Sequence, residues 1–414
     1  MPSAFTWLDF AESDRQQAMQ VIDLFREKST VDELGFGPIR DAFADHFFPG
    51  TSTIQTRARY FLFVPWIARR YERRKLSAQE ISQKVRGRET RLIKALLAGD
   101  EDQGGIIGRE ALGKLKRMPS AVYWRGLNLW GIRLFSGSME QYCRQNSKGR
   151  MALRGGVVTD DGEPLDHIPA NWHPDLPTAP DGLYERATFD LTEKEAEFLK
   201  ERICSAQPMS LLAQLVTRAT RELKAPYVWD AMLRPLLTGD LRETVEHARR
   251  FAICAWGGPL IYTRMVAVLK RNDKLVDAVT RQLGVWQDQI AQEASALSAW
   301  ERVAFWGLVN RINPRLSRRT QQFAEQWISI TLRAGAGSPV WEEPSVQKLV
   351  ANREGQLKGG RARLRPENLR ARDRWQGDVD DGPMDFRWGP TCTILNDILH
   401  GLHDGAGNNG ASHA

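Results

Sequence analysis

Residues 60–67, YFLFVPWI, decide the first prediction about the fold. They are apolar on every side of a helix, which is typical of a helix buried in a protein core. Pro65 removes one backbone donor, so we expect a kink there. A long helix over residues 53–74 is therefore predicted, with basic residues gathered at both of its ends. Those named as candidates are Arg57, Arg59, Arg69 and Arg70.

Helical signals continue along the rest of the 414 residues, of which 42% are hydrophobic and 26% charged. Ser77 with Glu80, and Thr192 with Glu195, have the spacing of capping boxes at helix starts. The fold class predicted is mainly α, with two helical lobes joined by a loop-rich connector and a small helix-turn-helix with a hairpin.

Composition shifts predict four segments. They are a basic helical lobe at 1–150, a connector rich in Gly, Pro, Asp and Asn at 151–188, a helical lobe at 189–352, and a basic arm with a C-terminal helix at 353–414. Within the second lobe, Gly257-Gly258-Pro259 is expected to divide the stretch 240–271 into two helices.

Charge is distributed unevenly along the chain. Residues 57–154 hold 22 basic and 8 acidic side chains, a balance of +14, and residues 353–374 hold 8 and 3, a balance of +5. The first 56 residues and the tail from 375 onward each balance at −5, and the whole chain at +7. Two interpretations stay open: a surface for a polyanion, or cations that pair internally with the acidic ends.

The segment 109–132 has the skeleton of a helix-turn-helix, with helices predicted at 109–116 and 120–132. Arg125 and Asn128 would lie one turn apart on the second helix, and these residue types commonly contact guanine and adenine edges. Asp161-Gly162 is expected to form the turn of a hairpin wing. Ordinary helix packing is the alternative interpretation.

Nucleic acid, with DNA as the expected form, is the predicted ligand of both basic stretches. The residues predicted to bind it are Arg57, Arg59, Arg69, Arg70, Arg86, Arg91, Lys114, Lys116, Arg117, Arg125, Asn128, Lys358, Arg361, Arg363 and Arg365.

Motifs for chemistry are weak. Gly108 to Lys114 fits a phosphate loop, but Leu115 stands where Ser or Thr must hold Mg²⁺. His400 and His403 supply only two ligands of a metal site. We predict no catalytic residue, no metal and no cofactor.

The absence of a signal peptide, of a disulfide framework and of an 18-residue apolar run points to a cytoplasmic protein without a membrane span.

Several stretches together resemble an uncharacterised bacterial family, domain of unknown function 6361. They are TWLDF at 6–10, the stretch from DELGFGPIRD to FVPWI at 32–67, PSAVYWRGLNLWGI at 119–132, NWHPDLP at 171–177, VEHARRF at 245–251, and DFRWGP with ILNDILHGL near the C-terminus. The resemblance implies a prokaryotic cytoplasmic protein whose relatives are encoded beside helicase genes in antiphage defence neighbourhoods, and it carries over no site residues.

We therefore expect a non-enzymatic accessory protein that binds nucleic acid and acts with a larger effector protein. A scaffold that binds only protein, and an enzyme with an unrecognised site, are the alternatives.

Overall fold

The computed structural model describes residues 32–72, 74–99, 104–111, 115–147, 170–335, 337, 339–377, 379 and 382–409. These residues are mainly α-helical, as predicted. The β-pairing among them consists of one isolated antiparallel bridge between Arg133 and Trp172. The predicted hairpin at Asp161-Gly162 and the candidate Lys114 lie outside the described residues.

Packing divides the chain into two compact units. Of the described residues, unit 1 contains 32–40 with Arg250–Met384, and unit 2 contains Asp41–Arg249 with 385–409. These units do not coincide with the four predicted segments, because each combines parts of the chain that are distant in the sequence.

The described α-helices are, in chain order, α1 (Gly37–Phe47), α2 (Tyr60–Arg69), α3 (Ala78–Gly99), α4 (Pro119–Leu129), α5 (Met139–Gln145), α6 (Glu193–Ala206), α7 (Leu211–Arg218), α8 (Gly239–Leu269), α9 (Asp273–Gln292), α10 (Ala294–Ser298), α11 (Arg302–Ile312), α12 (Arg318–Ala334), α13 (Pro344–Lys358), α14 (Leu369–Asp373) and α15 (Trp388–Asn409). The division between the units falls within α1 and within α8.

Unit 2 has α2 in its core, packed against α3 and α4, and every residue from Tyr60 to Ala68 is buried. The helix spans Tyr60–Arg69 and is followed by turns at 70–72, so the prediction of a helix over 53–74 is wrong at both ends. The preceding backbone is bonded elsewhere: Ala58 N–H donates to Asp397 at 2.7 Å, and the two N–H groups before it donate to the Tyr123 hydroxyl.

Both predicted capping boxes in unit 2 are formed. Glu80 accepts the Ser77 N–H at 2.7 Å, and Ser77 Oγ accepts the Glu80 N–H at 3.2 Å. The same exchange between Thr192 and Glu195 starts α6. α15 packs on α6 and α7.

In unit 1, α8 continues without a break through Gly257-Gly258-Pro259, so the predicted division is wrong. The two glycines serve close packing. A Cβ on Gly257 would lie 2.4 Å from the Trp286 ring, and one on Gly258 would lie 2.9 Å from the Phe36 ring.

α8 is also long and apolar enough to cross a membrane by length and composition alone. Of its most apolar window, 67% is buried inside the protein, which is typical of a core helix. Trp286 and Trp327 donate their indole N–H groups to its backbone, at Ile253 O (3.0 Å) and Cys254 O (2.8 Å).

The predicted basic arm at 353–374 is instead a folded part of unit 1. Arg353 and Arg372 are buried. Arg372 donates to the carbonyl oxygens of Arg363, Arg365 and Pro366, at 2.7 to 3.1 Å. Because the Arg372 guanidinium binds backbone, part of the counted charge holds the loop in place.

Candidate nucleic-acid interface

Two of the predicted binding residues in unit 2 are engaged with carboxylates. Arg57 Nε lies 3.0 and 3.1 Å from the two carboxylate oxygens of Asp397, and its Nη2 lies 2.9 Å from one of them. Arg59 is buried, lies 3.0 Å from Glu195 and donates to the Thr188 carbonyl. The prediction that they present free charge is therefore wrong, because the fold supplies their counterions.

Two predicted residues of unit 1 are engaged in the same way. Arg363 Nη1 donates to Glu33 at 2.7 Å, and Lys358 Nζ contacts Glu33 directly. The buried Glu354 lies 3.6 Å from Lys358 and accepts backbone N–H groups from Arg363 and Leu364. Here, too, the prediction of free charge is wrong, and Glu33 comes from the acidic first part of the chain.

The helix-turn-helix prediction is wrong in its first helix. Residues 107–111 form turns, and the described residues between α3 and α4 contain no helix. The second helix exists as α4. Its Arg125 is exposed and lies 3.7 Å from Asp45, whereas Asn128 donates its side-chain amide to the Arg133 carbonyl. Asn128 is also exposed, and its bond joins α4 to the backbone that follows it, so base reading by Asn128 stays a prediction.

The remaining predicted cations are at or near the surface. In unit 2, Arg69, Arg70, Arg86, Arg91 and Lys116 are exposed and Arg117 is partly exposed; in unit 1, Arg361 and Arg365 are exposed. Arg86 donates to the Leu115 carbonyl at 2.7 Å.

One helix collects surface cations on a single face. On α3 the residues Lys84, Arg88, Arg91 and Lys94 follow each other at spacings of four, three and three, which places them along one stripe. Ile81, Val85, Leu92 and Leu96 face the core. Lys84, Arg91 and Lys94 are exposed and Arg88 is partly exposed. We call these four residues the α3 basic face.

Acidic groups on α3 do little to neutralise that face. Glu80 lies in the first turn and is used by the capping box. Glu89 is buried, and its Oε1 accepts the backbone N–H of Ser120 at 2.7 Å. Burial raises the pKa of Glu89 to about 7, against the opposing effect of the Ser120 hydrogen bonds. Since a large part of this carboxyl is neutral at pH 7, α3 carries more net positive charge than its composition indicates.

Arg91 was among the sequence predictions, but Lys84, Arg88 and Lys94 were not. A helical projection of the stretch after the Ser77 cap would have found them, because the spacing is visible in the sequence. The summed charge of residues 57–154 does not distinguish them from Arg57 or Arg59.

No group of three or more His, Cys, Asp and Glu side chains that could hold a metal ion occurs within the described part of the chain. His400 and His403, the pair noted in the sequence, therefore have no described third ligand. The arrangement on unit 2 is suited to binding an anion through its surface.

The chain is thus a mainly α-helical protein with a basic helix face. It belongs to the family described as a family of unknown function (DUF6361), whose sequence model matches residues 2–401. The full-length resemblance expected from the sequence is confirmed. No curated protein and no solved structure matches the chain.

Proposed function

We propose that this chain is a non-enzymatic accessory protein that binds nucleic acid through the α3 basic face. The observation that carries the proposal is the row of Lys84, Arg88, Arg91 and Lys94 on one side of one helix. Lysine and arginine bind phosphates by replacing condensed counterions, and such contacts add up along a row. Arg69, the last residue of α2, and Arg70, which follows it, are exposed in the same unit and add positive charge.

The larger effector belongs to the same proposal. We expect it to be a helicase of a prokaryotic antiphage defence system, acting in the bacterial cytoplasm, with DNA as the nucleic acid. This part of the proposal rests on the family resemblance.

The test is a binding titration over a range of salt concentrations with a fourfold variant of the α3 basic face, in which each residue becomes Gln. The matched control changes Lys194, Arg218, Arg221 and Lys224 to Gln. These residues are exposed in the same unit and, like the α3 basic face, consist of two lysines and two arginines. Both variants lose the same net charge, so only location differs.

We expect the α3 variant to lose at least about 10-fold in affinity at ~50 mM salt and to show a shallower salt slope, because each lost phosphate contact reduces the slope by about 0.7 to 0.9. The control variant should stay within about 2-fold of the wild type. Equal losses in both variants, or no binding by the wild type at ~50 mM salt, would refute the proposal.

A scaffold that binds only protein is the second candidate. The observation that favours it is the internal neutralisation of Arg57, Arg59, Lys358 and Arg363, which leaves less free charge than the sequence indicates. A wild type that retains no nucleic acid at low salt, yet binds one defined protein at fixed stoichiometry as a purified pair, would support this candidate.

A further inference from the structure

The last part of the predicted connector, residues 182–187, lies along α3 in unit 2. Ala187 N–H donates to the Ala95 carbonyl at 3.1 Å, and Gly99 lies so close to Ala187 that a Cβ there would be 2.2 Å from the Ala187 oxygen. Leu183 is buried. A turn closed by Glu185 N–H on the Gly182 carbonyl, at 2.8 Å, precedes this contact. The segment therefore holds a fixed position beside the helix.

That position brings Tyr184 to the α3 basic face. The guanidinium carbon of Arg88 lies over the Tyr184 ring, 4.6 Å from its centroid. Tyr184 and Arg88 are both partly exposed. Burial raises the pKa of the Tyr184 hydroxyl, and the positive charges of Arg88 and Arg70 oppose that shift.

The Arg88–Tyr184 pair lies in the middle of a row of cations. The Arg88 guanidinium covers one face of the Tyr184 ring, and both side chains are partly exposed, so a further planar group can reach the pair. Lys84 stands four residues before Arg88, and Arg91 stands three residues after it. Nucleobases stack on aromatic rings and on guanidinium planes when they are unpaired, while their phosphates bind neighbouring cations.

A duplex would use only half of this arrangement. Base faces in a duplex are covered by the next base pair, so the Arg88–Tyr184 stack would contact nothing but backbone. The rise from Lys84 to Lys94 is about 15 Å, which is enough for only a few nucleotides. Both features favour a short stretch of unpaired nucleotides.

We propose that the α3 basic face binds single-stranded nucleic acid, with one base stacked on the Arg88–Tyr184 pair and the flanking phosphates bound by Lys84, Arg91 and Lys94. This inference rests on the function proposed above and names the form of nucleic acid. The stack orders Arg88 before the ligand arrives, so less conformational freedom is lost on binding.

The test measures the affinities of the full-length chain for a single strand of about 16 nucleotides and for the duplex of the same sequence, by fluorescence anisotropy. Arg88→Lys keeps the charge and removes the planar group. Tyr184→Leu removes the ring, and Tyr184→Phe keeps it. Thermal melting of each variant checks that unit 2 is folded.

We expect the wild type to prefer the single strand. Arg88→Lys and Tyr184→Leu should each lower single-strand affinity by about 5-fold or more, because base stacking contributes strongly per base. Duplex affinity should change by less than about 2-fold, since the charge is retained or untouched, and Tyr184→Phe should behave as the wild type.

Equal affinity of the wild type for both forms, or equal losses on both forms in the two variants, would overturn the single-strand inference and leave the proposed function standing. Failure of the wild type to bind either form would refute the proposed function itself. A purely structural role of the Arg88–Tyr184 contact would lower the melting temperature without changing the ratio of the two affinities.

Discussion

Arg57 and Asp397, which are 340 residues apart in the sequence, form a bidentate ion pair with three nitrogen–oxygen distances of 2.9 to 3.1 Å. Asp397 also accepts the Ala58 N–H at 2.7 Å, so one carboxylate of α15 holds both a side chain and the backbone in front of α2. Burial raises the pKa of Asp397, and the Arg57 guanidinium opposes that effect. The most basic stretch of the sequence is thereby tied to its acidic tail.

Replacing Asp397 tests this attachment. We expect Asp397→Ala to lower the free energy of unfolding by about 3 kcal/mol, because it removes the carboxylate that a partly buried guanidinium and a buried N–H share. Asp397→Asn keeps one carbonyl oxygen and should lose less. Urea denaturation compares the two variants with the wild type. An Asp397→Ala protein as stable as the wild type would contradict the role assigned to this pair.

The pH dependence of stability should reveal Glu89. Its pKa is raised to about 7 in the folded protein from an ordinary value of 4.5. The folded state therefore binds the proton more tightly than the unfolded state does. Protonated Glu89 therefore contributes about 3 kcal/mol to the free energy of unfolding. This contribution is complete below about pH 4.5 and is lost as the pH rises through about 7.

Glu89→Gln removes this titration and keeps an oxygen that can accept the Ser120 N–H. The free energy of unfolding of the variant, relative to that of the wild type, should therefore increase from pH 5 to pH 8. These two pH values enclose most of the range over which Glu89 titrates in the folded protein. Denaturation curves of both proteins at the two pH values give the difference in free energy of unfolding. The contributions of the other carboxylates are the same in both proteins and cancel in this difference. A difference that does not change with pH would show that Glu89 titrates normally.

Gly99 is where α3 ends and where the segment carrying Tyr184 comes closest. Gly99→Ala should lower stability by about 1 to 3 kcal/mol, because the new Cβ would lie 2.2 Å from the backbone oxygen of Ala187. Gly87→Ala is the control in the same helix: no atom lies within 4 Å of its added Cβ, so it should raise stability by about 0.5 to 1 kcal/mol. Equal effects of the two substitutions would contradict the close approach.

Glu72 is a further point of attachment in unit 2. Its Oε1 accepts from the Tyr142 hydroxyl at 2.7 Å, the Trp172 indole at 2.8 Å and the Asn171 amide at 2.9 Å. We expect Glu72→Ala to lower the free energy of unfolding by about 2 to 3 kcal/mol, because buried donors lose their acceptor. Glu72→Gln should lose less, and protease digestion should show earlier cleavage near residue 171 in Glu72→Ala alone.

The parts of the fold that were predictable depend on local chemistry. The cap from Ser77 to Glu80 and the one from Thr192 to Glu195 each involve residues three apart, so the sequence contains all of the relevant information. The glycines of α8 were misread for the opposite reason. They accommodate the ring of Trp286 and the side chain of Phe36, which are remote in the sequence, and no local pattern reveals such partners.

The candidate site was predictable only in part. Charge counted along a segment gives equal weight to Arg91, which is exposed, and to Arg59, which is buried beside Glu195. Several arginines bind backbone oxygens, among them Arg133, whose guanidinium donates to the Trp124 and Gly137 carbonyls and whose pKa burial lowers to about 10. Which cations face solvent is decided by tertiary packing.

The two-segment composition of each unit has a consequence for the order of events during synthesis. A ribosome releases residues 32–40 long before Arg250–Met384, and Asp41–Arg249 long before α15. Neither unit can therefore complete its core until its second segment has been made, although domains commonly fold one after another as they emerge. The apolar residues of α2 and its neighbours stay exposed to aggregation until α15 has been made. We therefore expect expression of a protein with this topology to depend on chaperones.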